Sequence, residues 1–187
     1  LISFGAYAAL PEFDIEGSWT AKVKNEKLRM SLNIFTEEEH DGAWHTTTYI
    51  QQSEFSGLEM DKEQEFKLIR DAGTLIFFGK FRGNRGYGDF EFIPNENFRK
   101  ELDKKGFGSV KDSDMLHLFI GKIDGSYLKS LEKLGYKNLP VSKLISFGIH
   151  EISIEYIKNV HKAGFKDISP SKLLSFKIHG IDDQYIE

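Results

Sequence analysis

The chain has 187 residues, 40% of them hydrophobic and 13% aromatic, enough to bury one ordinary core or two small ones, and this composition argues against disorder. It contains no cysteine, which excludes disulfides and thiolate metal sites. The formal net charge of −4 gives no general attraction to nucleic acid or an anionic membrane, and no apolar run is long enough for an integral membrane span.

The first nine residues, Leu1 to Ala9, read as the tail of an apolar signal core with an Ala-x-Ala site at Ala6-Tyr7-Ala8. Residues 1–16 are therefore expected to be an export-signal remnant or an N-terminal arm, and the expected location is periplasmic or secreted. From Gly17 to Pro94 the pattern alternates. Leu28, Met30, Leu32 and Ile34 fall on one face, with Arg29, Ser31 and Asn33 on the other. Strands are predicted at 18–23, 27–34, 44–50, 65–70, 74–81 and 87–93, separated by turn signals such as Asp71-Ala72-Gly73 and Gly83-Asn84-Arg85-Gly86. Tight turns between short strands predict an antiparallel β-meander forming a small barrel or sandwich. Residues 51–64 show no alternation and read as an irregular loop. Ile76 and Phe78, on the opposite face of the fifth strand, are too apolar for open solvent, so the first helix, near Glu96 to Lys105, is expected to cover part of this sheet.

After Pro94 the period becomes helical. Gly106, Gly135 and Gly164 recur 29 residues apart, and Ser142 to His150 matches Ser171 to His179 closely. This predicts a short α-helical repeat array over 95–187, made of a half-unit 95–106, units 107–135 and 136–164, and a truncated unit 165–187. Asp124, Ser153 and Asp182 suit N-caps, and Ser169-Pro170 suits an N-cap followed by N1. The first helix of the middle unit should bury Leu144, Ile145, Phe147 and Ile149, and the second should bury Tyr156, Ile157, Val160 and Ala163. Helices this short need stacked neighbours to be stable. The fold class is therefore α+β, an antiparallel β domain followed by helical repeats.

Candidate chemistry is sparse. His40 and His45 lie across a turn with no second pair, and His150-Glu151 lacks the second histidine of a zinc helix, so no metal site and no cofactor is expected. The acids Glu37, Glu38, Glu39 and Asp41 read as a solvated run. The loop from Gly83 to Gly86 has the spacing of a nucleic-acid clamp but joins strands, so it reads as a hairpin and no nucleic acid is expected as a partner. Lys80, Arg82 and Arg85 make its tip basic, suited to an anion or an acidic protein surface. His150 and His179 hold equivalent repeat positions, where Gly121 stands in the first copy. Lys158, His161 and Lys162 are expected on the solvent side of the array. No nucleophile is visible with a base and an orienting acid.

The phrase from Ile178-His179-Gly180-Ile181 to Tyr185-Ile186, after Leu173, Leu174 and Phe176, resembles repeats in the extracytoplasmic tail of bacterial membrane metallopeptidases related to beta-lactam sensors. It is similar too to stand-alone exported proteins of uncharacterised function. Ile149-His150 with Ile152, and Gly164-Phe165, keep that pattern; Ile120-Gly121 loses the histidine. The resemblance implies a bacterial, envelope-located module. It does not bring protease activity, because the zinc-binding helix and membrane spans of those enzymes have no counterpart in this sequence.

The sequence thus points first to a non-catalytic interaction module binding a protein or peptide through the repeat surface. An alternative is a small apolar ligand, lipid or glycan, held by the aromatic residues of the β domain, among them Trp19, Trp44, Phe77, Phe78, Phe90 and Phe92. A third is a hydrolase, which needs a cleft with strongly perturbed titratable groups.

Overall fold

The computed structural model describes residues 15–36 and 44–181. The expectations for Ala6-Tyr7-Ala8, His40, the acidic run at 37–41 and the cap at Asp182 lie outside these residues. Among the described residues, seven strands precede six helices: β1 (Ile15–Lys24), β2 (Lys27–Thr36), β3 (Trp44–Gln51), β4 (Phe55–Ser56), β5 (Glu63–Arg70), β6 (Gly73–Arg82) and β7 (Arg85–Pro94), then α1 (Glu96–Lys104), α2 (Asp112–Ile120), α3 (Gly125–Lys133), α4 (Val141–Ile149), α5 (Ile154–Lys162) and α6 (Pro170–Ile178).

The six predicted strands all form. The stretch expected to be an irregular loop adds a short 3-10 turn, Gln52–Glu54, and the two-residue strand β4. The sheet is neither a closed barrel nor a two-sheet sandwich. It is one curled, antiparallel sheet of order β3-β2-β1-β7-β6-β5-β4, in which two meanders are joined where β1 pairs with β7. That long-range pairing leaves β3 and β4 as the edges of the sheet among the described residues. Asn25 and Glu26, both at positive φ (50° and 61°), turn β1 into β2, and Gly83 (φ 57°) turns β6 into β7.

The concave face is filled. Trp19 packs edge-on to Phe66 and Phe77 (5.4 and 5.9 Å) and beside Phe81 (5.5 Å), and its indole N–H donates to the Phe78 carbonyl at 3.2 Å. Fully burying aromatic side chains of this size stabilises by roughly 1.5–3 kcal/mol each. The core runs without a break into the helices, and Phe98, Leu116, Phe119, Leu128, Leu144 and Phe147 belong to the same buried cluster.

The helix that packs on β6 and β7 is α2. The expectation that α1 covers the Ile76 and Phe78 face is corrected: α2 lies on the concave side, Phe119 meeting Phe92 at 5.5 Å, and Phe78 stays 39% exposed. Helix α1 instead continues directly from the sheet's end. The Asn95 side chain caps it through the Asn97 amide, and donates to the Asp71 carbonyl at 2.9 Å. Arg70 donates to the Phe119 carbonyl (2.8 Å), and Asp71 accepts from the Gly125 amide (2.9 Å). Sheet and helices are thereby pinned at three points, leaving no hinge at the junction.

Within the helical part, α2, α4 and α6 stack in one row while α3 packs on α5. Asp124, Ser153 and Ser169 cap α3, α5 and α6 as their sequence suggests. Ile149 corrects its expectation. It is 62% exposed rather than buried, because the stripe that faces the neighbouring helices is carried by Leu144 and Phe147.

Candidate functional site

A groove of about 830 Å³ lies between the free edge of β3 and the ends of α2 and α4. Its sheet wall is the continuous run Trp44 to Tyr49, both faces of the strand, so the groove follows the strand's backbone edge. The β-branched run Thr46, Thr47, Thr48 favours an extended backbone. Trp44, Thr46 and Thr48 are half-buried; His45, Thr47 and Tyr49 are exposed. β3 pairs with β2 on one side, and among the described residues no strand pairs with its other side.

The helical wall is made by Ile120 to Ile123, by Phe147 to Ile149 and by Ile152, with His117 and Tyr127. Two features shape it. His117 stacks on Trp44 (4.6 Å between centroids, planes 6° apart), tying the sheet edge to α2. Its Nδ1 lies 2.7 Å from the Ser113 carbonyl, which can only accept, so Nδ1–H is the donor. Second, Gly121 and Gly148 touch backbone to backbone: a Cβ on Gly121 would lie 2.8 Å from the Gly148 Cα. Any side chain at Gly121 would push α2 from α4.

The Tyr127 hydroxyl donates to the Ile152 carbonyl at 2.7 Å, and burial pushes its pKa upward. Next to Lys122, outside the groove's lining, burial pushes the Glu54 carboxyl up, but the Gln51 amide, Arg70 and Lys122 together hold it below its ordinary value. A smaller pocket of about 250 Å³ adjoins it, lined by Glu54, Arg70, Lys122 and Asp124. Chemically, the groove offers a strand edge whose N–H and C=O groups have no strand partner among the described residues, apolar side chains opposite, and one charge of each sign, Lys122 and Glu151.

No family model, no curated protein and no solved structure matches this chain.

The residues singled out in the sequence fall in three places. Lys158 and Lys162 are exposed on α5, but His161 is half-buried, with Nε2 3.2 Å from the Tyr136 hydroxyl, which also donates to the Ile168 carbonyl at 3.1 Å. His150 and His179 are the C-cap residues of α4 and α6. Lys80, paired with Glu63 at 3.8 Å, lies with exposed Arg82 and Arg85 at the β6–β7 turn. None of these lines the groove. His45 is on the outer face with Nδ1 2.9 Å from the Asn33 amide oxygen, and among the described residues no three His, Asp or Glu side chains converge as metal ligands would. Sequence reasoning found β3 as a strand but missed its edge, because edge status depends on the distant β1–β7 pairing. The threonine run beside Trp44 was the local signal available.

Proposed function

We propose that the chain is a non-catalytic interaction module that binds an extended peptide segment by adding it as a strand to β3, in the groove closed on its other side by α2 and α4. The observation that carries this reading is the continuous exposure of the β3 edge, from Trp44 to Tyr49, along one wall of the groove. A strand edge supplies backbone hydrogen bonds to any extended chain, while alternate side-chain positions supply selectivity. Edges left this open are ordinarily blunted by charge or proline, yet the β3 run from Trp44 to Ile50 contains neither lysine nor proline. Packing of Trp19, Phe66, Phe77 and Phe81 on the concave face favours this reading over a small apolar ligand held inside the sheet. The reading of the helices as 29-residue units belongs to the same proposal: Tyr127 bonds the Ile152 carbonyl, and Tyr156 bonds the Ile181 carbonyl, each the same number of residues ahead. Location in a bacterial envelope rests on the N-terminal signal pattern and on the resemblance to metallopeptidase tails.

The test begins with selection from a displayed library of random ten-residue peptides. Recovered peptides should bind the wild type and lose roughly tenfold or more on Ile149→Lys, which places a charge in the groove, and β3 amides should gain hydrogen-exchange protection on binding. Protection confined to the exposed face of α5 would put the site on the array surface instead. Failure to select any peptide, with a co-purifying small molecule seen by native mass spectrometry, would overturn the reading in favour of ligand binding.

A further inference from the structure

The first 94 residues contain ten basic side chains, and their placement is uneven. Lys62, Lys67, Arg70 and Lys80 each pair with an acid: Glu59, Glu65, Glu54 and Glu63. The other six, Lys22, Lys24, Lys27, Arg29, Arg82 and Arg85, are all exposed, and no ion-pair partner is found for them among the described residues. They lie together. Arg82 pairs across its turn with Arg85, Arg85 neighbours Lys22 on β1, Lys22 neighbours Arg29 on β2, and Lys24 faces Lys27 at the next turn. Like charges directly opposite one another on a sheet are unfavourable, so four in a row across adjacent strands destabilise the free protein.

The two turns carrying these cations stand side by side at one end of the sheet, joined by the Val23 amide donating to the Asn84 carbonyl at 2.8 Å. Two exposed tyrosines flank the cluster: Tyr49 beside Arg29 in the register, and Tyr87 beside Thr20 in the next row. Acids close to the tips are Glu26, Asp61, whose carboxylate accepts from the Gly83 amide, and Glu63, already paired. The larger acidic group of the same face lies further off. Asp89 and Glu91 are four and six residues along β7 from Arg85, about 13 and 20 Å at a strand's rise per residue. Both distances exceed the Debye length of about 8 Å at physiological salt.

We infer that this end of the sheet is a docking surface for the headgroup plane of an anionic bilayer, with the two hairpin tips pointing at the membrane. A plane is the partner that fits this charge distribution: it meets every unpaired cation at the tips while the acids of the outer face stay beyond screening range. A polymer laid along the strands would run from the cations into Asp89 and Glu91, and one laid across them would follow Arg82, Arg85, Lys22 and Arg29 but leave Lys24 and Lys27 unmet. Tyrosine at the edge of such a contact suits the bilayer interface, where an apolar ring and a polar hydroxyl are both satisfied. The overall negative charge of the chain is no obstacle, because attraction acts through the local patch and decays within a Debye length.

Co-sedimentation of the full chain with phosphatidylcholine vesicles, with and without 30% phosphatidylglycerol, tests this. Binding is expected only with phosphatidylglycerol, to weaken steeply with salt, and to fall roughly fivefold for each cation neutralised, so about 25-fold for Arg82→Gln/Arg85→Gln. Lys158→Gln/Lys162→Gln on the array should bind like the wild type, and circular dichroism should show both variants folded. Equal binding to uncharged vesicles, or equal loss in the two double variants, would overturn the proposal. So would binding to soluble polyphosphate or a single-stranded oligonucleotide with none to vesicles.

Discussion

Gly121→Ala tests the contact on which the groove's shape rests. Gly121 sits at φ −72°, ψ 0°, ordinary helical geometry, so its need for glycine is steric. The added Cβ would lie 2.8 Å from the Gly148 Cα, 3.2 Å from the His117 carbonyl oxygen and 3.3 Å from the Gly148 carbonyl carbon. Two of these three atoms belong to the α4 backbone, so relief requires α2 and α4 to separate by several tenths of an ångström. Overpacking of this kind costs about 1–3 kcal/mol. Alanine returns about 0.4–1 kcal/mol by restricting the unfolded chain. The net expectation is a loss of about 1–2 kcal/mol, read as a lower urea midpoint at unchanged slope. Gly148→Ala should cost less, since Gly148 lies inside α4, where alanine gains about 1 kcal/mol of helix propensity. The double variant should be less harmful than the sum of the two, because the first Cβ already opens the contact that the second would violate. A neutral or stabilising Gly121→Ala, or strict additivity in the double variant, would refute the close packing of α2 on α4.

Two further outcomes depend on charge and burial. Tyr127→Phe leaves the buried Ile152 carbonyl without its donor and should cost about 1–3 kcal/mol near neutral pH. Because burial raises the Tyr127 pKa, the wild type should be fully stable below the unfolded tyrosine value of about 10 and lose stability as pH rises above it; chemical denaturation between pH 8 and 11 should show a shallower alkaline fall in the variant. For Glu91, burial, then Glu16 and Glu65, push the pKa upward, so its ionised form is disfavoured by folding and stability falls as pH rises through that raised value. Glu91→Gln should therefore raise the melting temperature at pH 7 and give no gain at pH 4; an equal gain at both would assign the effect to packing instead.

How far the fold was legible depended on the range of the forces involved. Alternation in Leu28 to Ile34, the caps at Asp124 and Ser153, and the serine–proline start of α6 are local and could be read directly. Strand order was not local. The pairing of Gly17 with Phe90 and of Trp19 with Gly88 decides that the sheet is a curled strip with free edges, and no periodicity announces it. The same holds for the helix that covers the sheet. The apolar stripe of α1 is as clear as any, but Asn95 and Asp71 fix it at the sheet's end, and Phe119 of α2 reaches the concave side. His161 looked like a solvent residue because its helical position is polar; Tyr136, 25 residues away, claims it. The basic tip at Arg82 and Arg85 was visible, whereas its doubling by Lys22 and Arg29 needed the register.

On the strand-addition proposal, topology joins the two candidate binding elements of the sequence, the β domain and the helical array, in one groove. β3 is an edge because β1 spends its second side on β7; the groove exists because Trp44 meets His117 and because two glycines let α4 close on α2. One wall therefore comes from each half of the chain, and the joint between them is held by Arg70, Asp71 and Asn95 rather than by a linker. Neither half alone forms the groove. A truncation after Pro94 would leave the β3 edge without its opposite wall and would expose Phe92 where Phe119 now packs, so loss of binding in such a fragment would not assign the activity to the helices. Point changes on either wall, Thr46 or Thr48 on the strand against exposed Ile149 on α4, separate the contributions while the core that joins them stays intact.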